Sequence, residues 1–77
     1  MRIEINNHIV IDSDICHGKP TFKGTRIMVK QVLELLEAGI SFEEILRDYY
    51  PQLSKDSIRG ALNYASNLVE DEKYVAF

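Results

Sequence analysis

The chain reads as a mainly α domain with a small N-terminal β element, a short β-hairpin followed by three helices. Three observations predict this. Isoleucines alternate with polar residues over residues 2–12, at the period of a strand. Beyond residue 28, three stretches place apolar residues at helical spacing. The ends of those stretches are marked by serines at the starts and by Gly39 and Pro51 at the stops.

In the hairpin, Ile3, Ile5, Ile9 and Ile11 alternate with Arg2, Glu4, Val10 and Asp12, and the turn falls around Asn6-Asn7-His8. A two-residue loop would pair Ile5 with His8 and split the isoleucines between faces. A three-residue loop pairs Ile5 with Ile9 and Ile3 with Ile11, which gathers all four on one face. The sequence therefore predicts the three-residue loop, with asparagine supplying a left-handed conformation. Residues 13–27 carry two glycines and a proline alongside Ile15, Phe22 and Ile27. They predict an ordered, extended segment with one or two turns, in which Phe22 and Ile27 cover the sheet or the helices.

The first helix is predicted over Val29 to Ala38, with Val29, Val32, Leu33 and Leu36 on its apolar face and Gly39 in the C′ position. The second runs from Phe42 to Tyr49. Ser41 caps it, Glu44 completes a capping box, Ile40 staples onto Ile45, and Pro51 prevents continuation. Its predicted buried stripe is Phe42, Ile45, Leu46 and Tyr49. The third starts after the N-cap Ser54, with Leu53 stapled onto Ile58, and its stripe of Ile58, Ala61, Leu62, Ala65 and Leu68 or Val69 carries it to about Glu70. A single domain results: residues 1–27 form strands and an extended segment, 28–70 a three-helix core, and 71–77 a tail.

At 77 residues the chain has room for one small core. Cys16 is the sole cysteine, which excludes an intramolecular disulfide and suits a reducing cytoplasm. No metal cluster is visible, so extra stability is expected from oligomerisation, with a homodimer as the simplest case, or from docking on a partner. No apolar run has the roughly 18–20 residues of a membrane span. The net charge of −3 argues against a general nucleic-acid coat. Its distribution is uneven: between Asp14 and Glu34 there is no acid, while Lys19, Lys23, Arg26 and Lys30 form a basic belt. From residue 39 onward seven acids face four bases. The plainer reading of these charges is a set of solvated faces.

Two capped helices joined by a turn of about five residues, after an initial helix, match a helix-turn-helix core. The run Ile15-Cys16-His17-Gly18-Lys19-Pro20-Thr21-Phe22-Lys23-Gly24-Thr25-Arg26-Ile27-Met28-Val29 is similar to the signature of the domain-of-unknown-function 433 family. The resemblance continues through Glu43-Glu44-Ile45, Tyr50-Pro51-Gln52-Leu53 and Ala61-Leu62-Asn63-Tyr64-Ala65. It implies a homeodomain-like helix-turn-helix fold. Many members are encoded beside a ribonuclease-like toxin with a PIN-like domain. The resemblance therefore implies a VapB-like antitoxin of a type II toxin–antitoxin system that neutralises the toxin and represses its own operon. The alternatives are a DNA-binding regulator without a toxin partner, or a pure protein-interaction module. Gly18 and Gly24 are the expected sites of positive φ or close backbone approach, Pro20 fixes an extended entry, and Arg26 can grip a carboxylate, in this chain (Glu34 or Glu37) or in a partner.

For operator DNA, the third helix presents Asp56, Arg59, Gly60, Asn63 and Asn67 to solvent, with Lys55 near its start. Lys55, Ser57, Arg59 and Asn63 are the candidate DNA-binding residues, Arg59 and Asn63 being good base readers in type. Asp56 would repel phosphate, so a single copy should bind weakly. A PIN-like active site is acidic and binds metal, so its antagonist needs basic side chains or a plug. Lys19, Lys23, Arg26 and Lys30 offer the first, and Tyr74 and Phe77 in the tail offer the second. No catalytic residue, metal site or cofactor is expected. Cys16 and His17 lack a spaced ligand set, and as neighbours in an extended segment they would point to opposite faces. Gly18-Lys19-Pro20-Thr21 lacks the earlier glycine and the hydroxyl of a phosphate-binding loop.

Overall fold

The computed structural model describes residues 1–71. Strands β1 (Arg2–Glu4), β2 (Ile9–Asp12) and β3 (Thr21–Phe22) form an antiparallel sheet in the order β1-β2-β3. Helices α1 (Val29–Glu37), α2 (Phe42–Glu44, continued by a π-helical stretch Ile45–Tyr49) and α3 (Lys55–Asp71) follow.

The hairpin has the three-residue loop. Arg2 lies opposite Asp12, Ile3 opposite Ile11 and Glu4 opposite Val10, and the Ile5 N–H donates to the Ile9 carbonyl at 2.9 Å. Its closure differs from the expected left-handed asparagine, since neither Asn6 nor Asn7 has a positive φ. Instead the Asn6 Oδ1 accepts the N–H groups of His8 and Ile9 at 2.8 and 2.9 Å, so the side chain does the turning. Only part of the isoleucine face is covered. Ile9 is fully buried, Ile5 packs against the core from a half-buried position, and Ile3 on the outer strand remains exposed.

The extended segment holds a third strand. Phe22 pairs with Ile9 and Thr21 with Val10, and both Thr21 and Phe22 are buried. Two residues of strand carry too little alternation to be read from sequence. Ahead of them, Cys16–Gly18 form a tight turn with φ of 50° at Cys16, 57° at His17 and 77° at Gly18. Cys16 and His17 therefore sit in a left-handed turn, where opposite-face alternation does not apply. After β3, Gly24 takes φ of 79°, and the Thr25 hydroxyl donates to the Phe22 carbonyl while accepting the Ile27 N–H. This local knot delivers Ile27 to the core. The Pro20 carbonyl accepts the Val29 N–H at 3.0 Å and the Gln31 side chain accepts that of Met28, which satisfies the two amides at the entry to α1.

Gly39 ends α1 at φ of 90°, with Gly39 N–H donating to Leu36 and Ile40 N–H to Leu35, which is the Schellman pattern. Ser41 accepts the Glu44 N–H at 3.1 Å and caps α2. Of the stapling residues, Ile45, Leu53 and Ile58 belong to the core and Ile40 packs against it from a half-buried position; the core also gathers Ile9, Phe22, Ile27, Val29, Val32 and Ala61. Two predicted stripes need correction. Tyr49 is exposed and Tyr50 packs on the core in its place. The Tyr50 N–H reaches the Ile45 carbonyl at 2.7 Å, a five-residue step that turns the helix end by one residue. In α3, Ala61 is the last fully buried residue; Tyr64 packs against the core and Ala65 is half-buried, while Leu62, Leu68 and Val69 of the predicted stripe are exposed. α3 has 17 residues against 9 in α1, about 25 Å against 14 Å.

Candidate functional site

The beginning of α3 is held by a reciprocal serine cap. The Ser57 N–H donates to the Ser54 Oγ at 3.1 Å, and the Ser54 N–H donates to the Ser57 Oγ at 2.8 Å. Ser57 takes the place that glutamate or glutamine holds in the usual capping box. Its hydroxyl also donates to the Ser54 carbonyl at 2.8 Å, and the residue is buried. Ser57 is therefore corrected from a DNA-contact candidate to a structural cap, its hydrogen-bonding capacity spent inside the fold. Gly60 also moves off the solvent face. Its carbonyl accepts the Asn6 Nδ2 at 3.1 Å, and a Cβ built on it would lie 2.9 Å from the His8 Cβ. The hairpin loop thus rests on the middle of α3, and a side chain there would push it away.

Lys55, Arg59 and Asn63 are exposed on α3. Both basic groups already face acids: Lys55 Nζ lies 3.5 Å from Glu43 and Arg59 lies 3.4 Å from Asp56. The Glu43 carboxyl is held below its ordinary range, first by its own backbone amide and then by the Lys55 ammonium. Farther along, the Asn67 Nδ2 reaches the Asn63 Oδ1 at 3.4 Å. This face is polar and near neutral rather than basic.

The basic belt does not close into one patch. Lys23 lines a cleft with His8, Gln52 and Ser54, whereas Lys30 borders a separate groove along α1 and α3. Lys23 pairs with Glu4 at 2.7 Å and Lys30 with Glu34 at 2.6 Å, one turn along α1. Lys19 and Arg26 are exposed and form no ion pair among the described residues, so the intramolecular grip of Arg26 on Glu34 or Glu37 is absent there. Tyr74 and Phe77 lie outside the described residues.

The groove beside Lys30 went unread in the sequence. It encloses about 500 Å³ and is walled by Pro20, Val29, Leu33, Tyr64 and Leu68, with Glu34 and Glu37 at its rim. Tyr64 and Leu68 stand one turn apart on α3, facing Val29 and Leu33, one turn apart on α1. The available signal was these two i, i+4 apolar pairs.

Residues 9–65 match the family described as "Protein of unknown function (DUF433)". The chain belongs to that family. The match spans the sheet from β2 onward, the left-handed turn, the Gly24–Ile27 knot, α1, α2 and α3 as far as Ala65. Comparison with curated proteins and with solved structures gives no match.

Proposed function

We propose that this chain is the antitoxin of a type II toxin–antitoxin pair, which binds and neutralises a PIN-like ribonuclease in the cytoplasm and represses its own operon by binding DNA through a homeodomain-like helix-turn-helix. The observation that carries the reading is the open apolar groove between α1 and α3. Leu62 and Val69 are further exposed apolar residues of α3, and in the sequence beyond it Tyr74 and Phe77 offer aromatic anchors. Lys19 and Arg26, the two belt residues left without an internal acid among the described residues, supply charge toward an acidic active site.

Lys55 and Arg59 specifically favour a second reading. With both paired to acids, α3 in one copy carries little net attraction for phosphate. A protein-interaction module that never touches DNA would have such a face.

Co-expression with the product of the neighbouring gene, followed by a pull-down, tests the toxin reading. Leu68→Lys, at a residue 52% exposed, should leave folding intact and weaken capture at least tenfold. Undiminished capture by that variant would remove the groove from the argument, and failure of the wild type to capture the product would remove the toxin. Arg59→Ala should weaken binding to the promoter fragment by about 1–3 kcal/mol at one base position. Equal binding by wild type and variant would leave the interaction module as the function.

A further inference from the structure

We propose that the free edge of β1 joins two copies of this chain, with Arg2–Glu4 pairing antiparallel to the partner's Arg2–Glu4 about a two-fold axis at Ile3. This names a surface and a register, and it stands whether or not the chain antagonises a toxin.

The hydrogen-bonding direction of β1 is readable from its ends. Ile5 N–H donates to Ile9 at 2.9 Å and the Met1 carbonyl accepts from Ser13 at 3.0 Å, so residues 1 and 5 face β2. Alternation gives Ile3 the same direction and turns the N–H and C=O groups of Arg2 and Glu4 to the outer edge. All three residues of β1 are exposed, and among the described residues no strand lies beyond it. A second strand must bring its own outward groups opposite Arg2 and Glu4. For two antiparallel copies this leaves three registers, centred on Arg2, Ile3 or Glu4.

Charge selects among them. Centring on Arg2 sets two arginines face to face, and centring on Glu4 sets two glutamates face to face; like charges directly opposed are unfavourable. Centring on Ile3 places Arg2 against the partner's Glu4 and Glu4 against the partner's Arg2, with four backbone hydrogen bonds. Charged residues on an edge strand ordinarily deter pairing. Here they deter every register but one. On the face that carries Arg2 and Glu4 the charges then run Asp12, Arg2, the partner's Glu4 and the partner's Lys23, alternating in sign; the register Arg2–Asp12 and the 2.7 Å pair Glu4–Lys23 already exist in each copy. On the inner face, Ile3, 46% exposed in one copy, meets the partner's Ile3 at the close spacing of a non-hydrogen-bonded pair. The arrangement is isologous, as a two-fold dimer requires. A three-residue contact lies at the small end of specific interfaces, so Kd is expected on the order of 0.1 mM.

Charge reversal tests the register. The full chain without an N-terminal tag is followed by analytical ultracentrifugation up to 1 mM. Wild type should dimerise reversibly. Arg2→Glu and Glu4→Arg should each weaken self-association at least tenfold, since each sets like charges against one another at both contacts. An equimolar mixture of the two should recover wild-type affinity, because every contact is then opposite in sign. A monomeric wild type at 1 mM, a single variant that still dimerises, or a mixture that stays monomeric would each overturn the proposal. Should Glu4→Arg misfold through loss of its Lys23 pair, amide exchange of the wild type decides. Concentration-dependent protection of the Arg2 and Glu4 amides supports the edge, and open amides in the dimer, or protected ones in a monomer, refute it. Toxin capture by monomeric Arg2→Glu would leave the functional reading intact, so the two can fail separately.

Discussion

Replacing Gly60 by alanine should destabilise the protein, although alanine is the better helix former by about 1 kcal/mol in a helix interior. The new methyl would lie 2.9 Å from the His8 Cβ and 3.0 Å from its Cδ2, closer than real Cβ contacts allow. The obstructing atom is a Cβ, which cannot swing away, so the hairpin loop must move as a unit. That movement also strains the 3.1 Å hydrogen bond from Asn6 to the Gly60 carbonyl. Overpacking of this kind costs about 1–3 kcal/mol. Subtracting the helix-propensity gain leaves a net loss of about 0–2 kcal/mol. For a domain of this size each kcal/mol moves Tm by roughly 4–8 °C. A double-mutant cycle sharpens the test, because His8→Gly removes the obstructing atoms. In that background Gly60→Ala should change sign and stabilise by about 1 kcal/mol, giving a coupling of about 1–3 kcal/mol. Urea and thermal unfolding followed by circular dichroism at 222 nm measure all four proteins. The reasoning fails if Gly60→Ala stabilises the wild type by the full propensity increment, or if the two substitutions are additive.

Three further outcomes are expected. Ser57→Ala removes both an acceptor for the Ser54 N–H and a buried donor, and should lower stability by about 1–2 kcal/mol in urea unfolding while leaving partner binding unchanged; a selective loss of DNA binding at full stability would restore Ser57 as a contact residue. His17→Gly relieves a left-handed residue that costs about 1–2 kcal/mol, against about 0.5–1 kcal/mol of added chain entropy, so Tm should rise by a few degrees; a lower Tm would show that the His17 side chain stabilises the turn. The Glu4 carboxyl is held below its ordinary range by its hydrogen bond to Lys23, then by that ammonium's charge, with a smaller pull from Arg2. Its contribution to the hairpin should therefore be complete above the ordinary carboxyl pKa of about 4.3 and fade as pH falls through the lower folded value. Carboxyl titration by NMR at dilute concentration should show this midpoint below the ordinary range, moving up in Lys23→Met; an identical midpoint in the variant would sever the two groups.

What sequence alone determined were the features with short-range causes. The three-residue loop follows from keeping Ile3, Ile5, Ile9 and Ile11 on one face. The helix ends follow from Ser41, Gly39 and Ser54, because caps satisfy amides and carbonyls within a few residues of themselves. Residues 9–65 match the family, and within them Gly18 and Gly24 adopt positive φ as their chemistry suggests. Tertiary structure decided everything that depends on who stands opposite whom. Ser57 read as a surface hydroxyl until its partner in the cap appeared, and Gly60 as an exposed helix position until His8 was laid against it. Tyr49 gave way to Tyr50 because one five-residue backbone step rotated the end of α2. The basic belt, continuous in sequence, is parted in space: Lys23, just after β3, lines one cleft, Lys30 on α1 borders another, and Lys19 and Arg26 line neither. The apolar groove exists because Val29 and Leu33 of α1 and Tyr64 and Leu68 of α3 face one another without filling the space between the helices. Periodicity reports which face of an element is apolar; only the packed fold reports how far along that face a neighbour extends, and the uncovered remainder is the surface left free to bind.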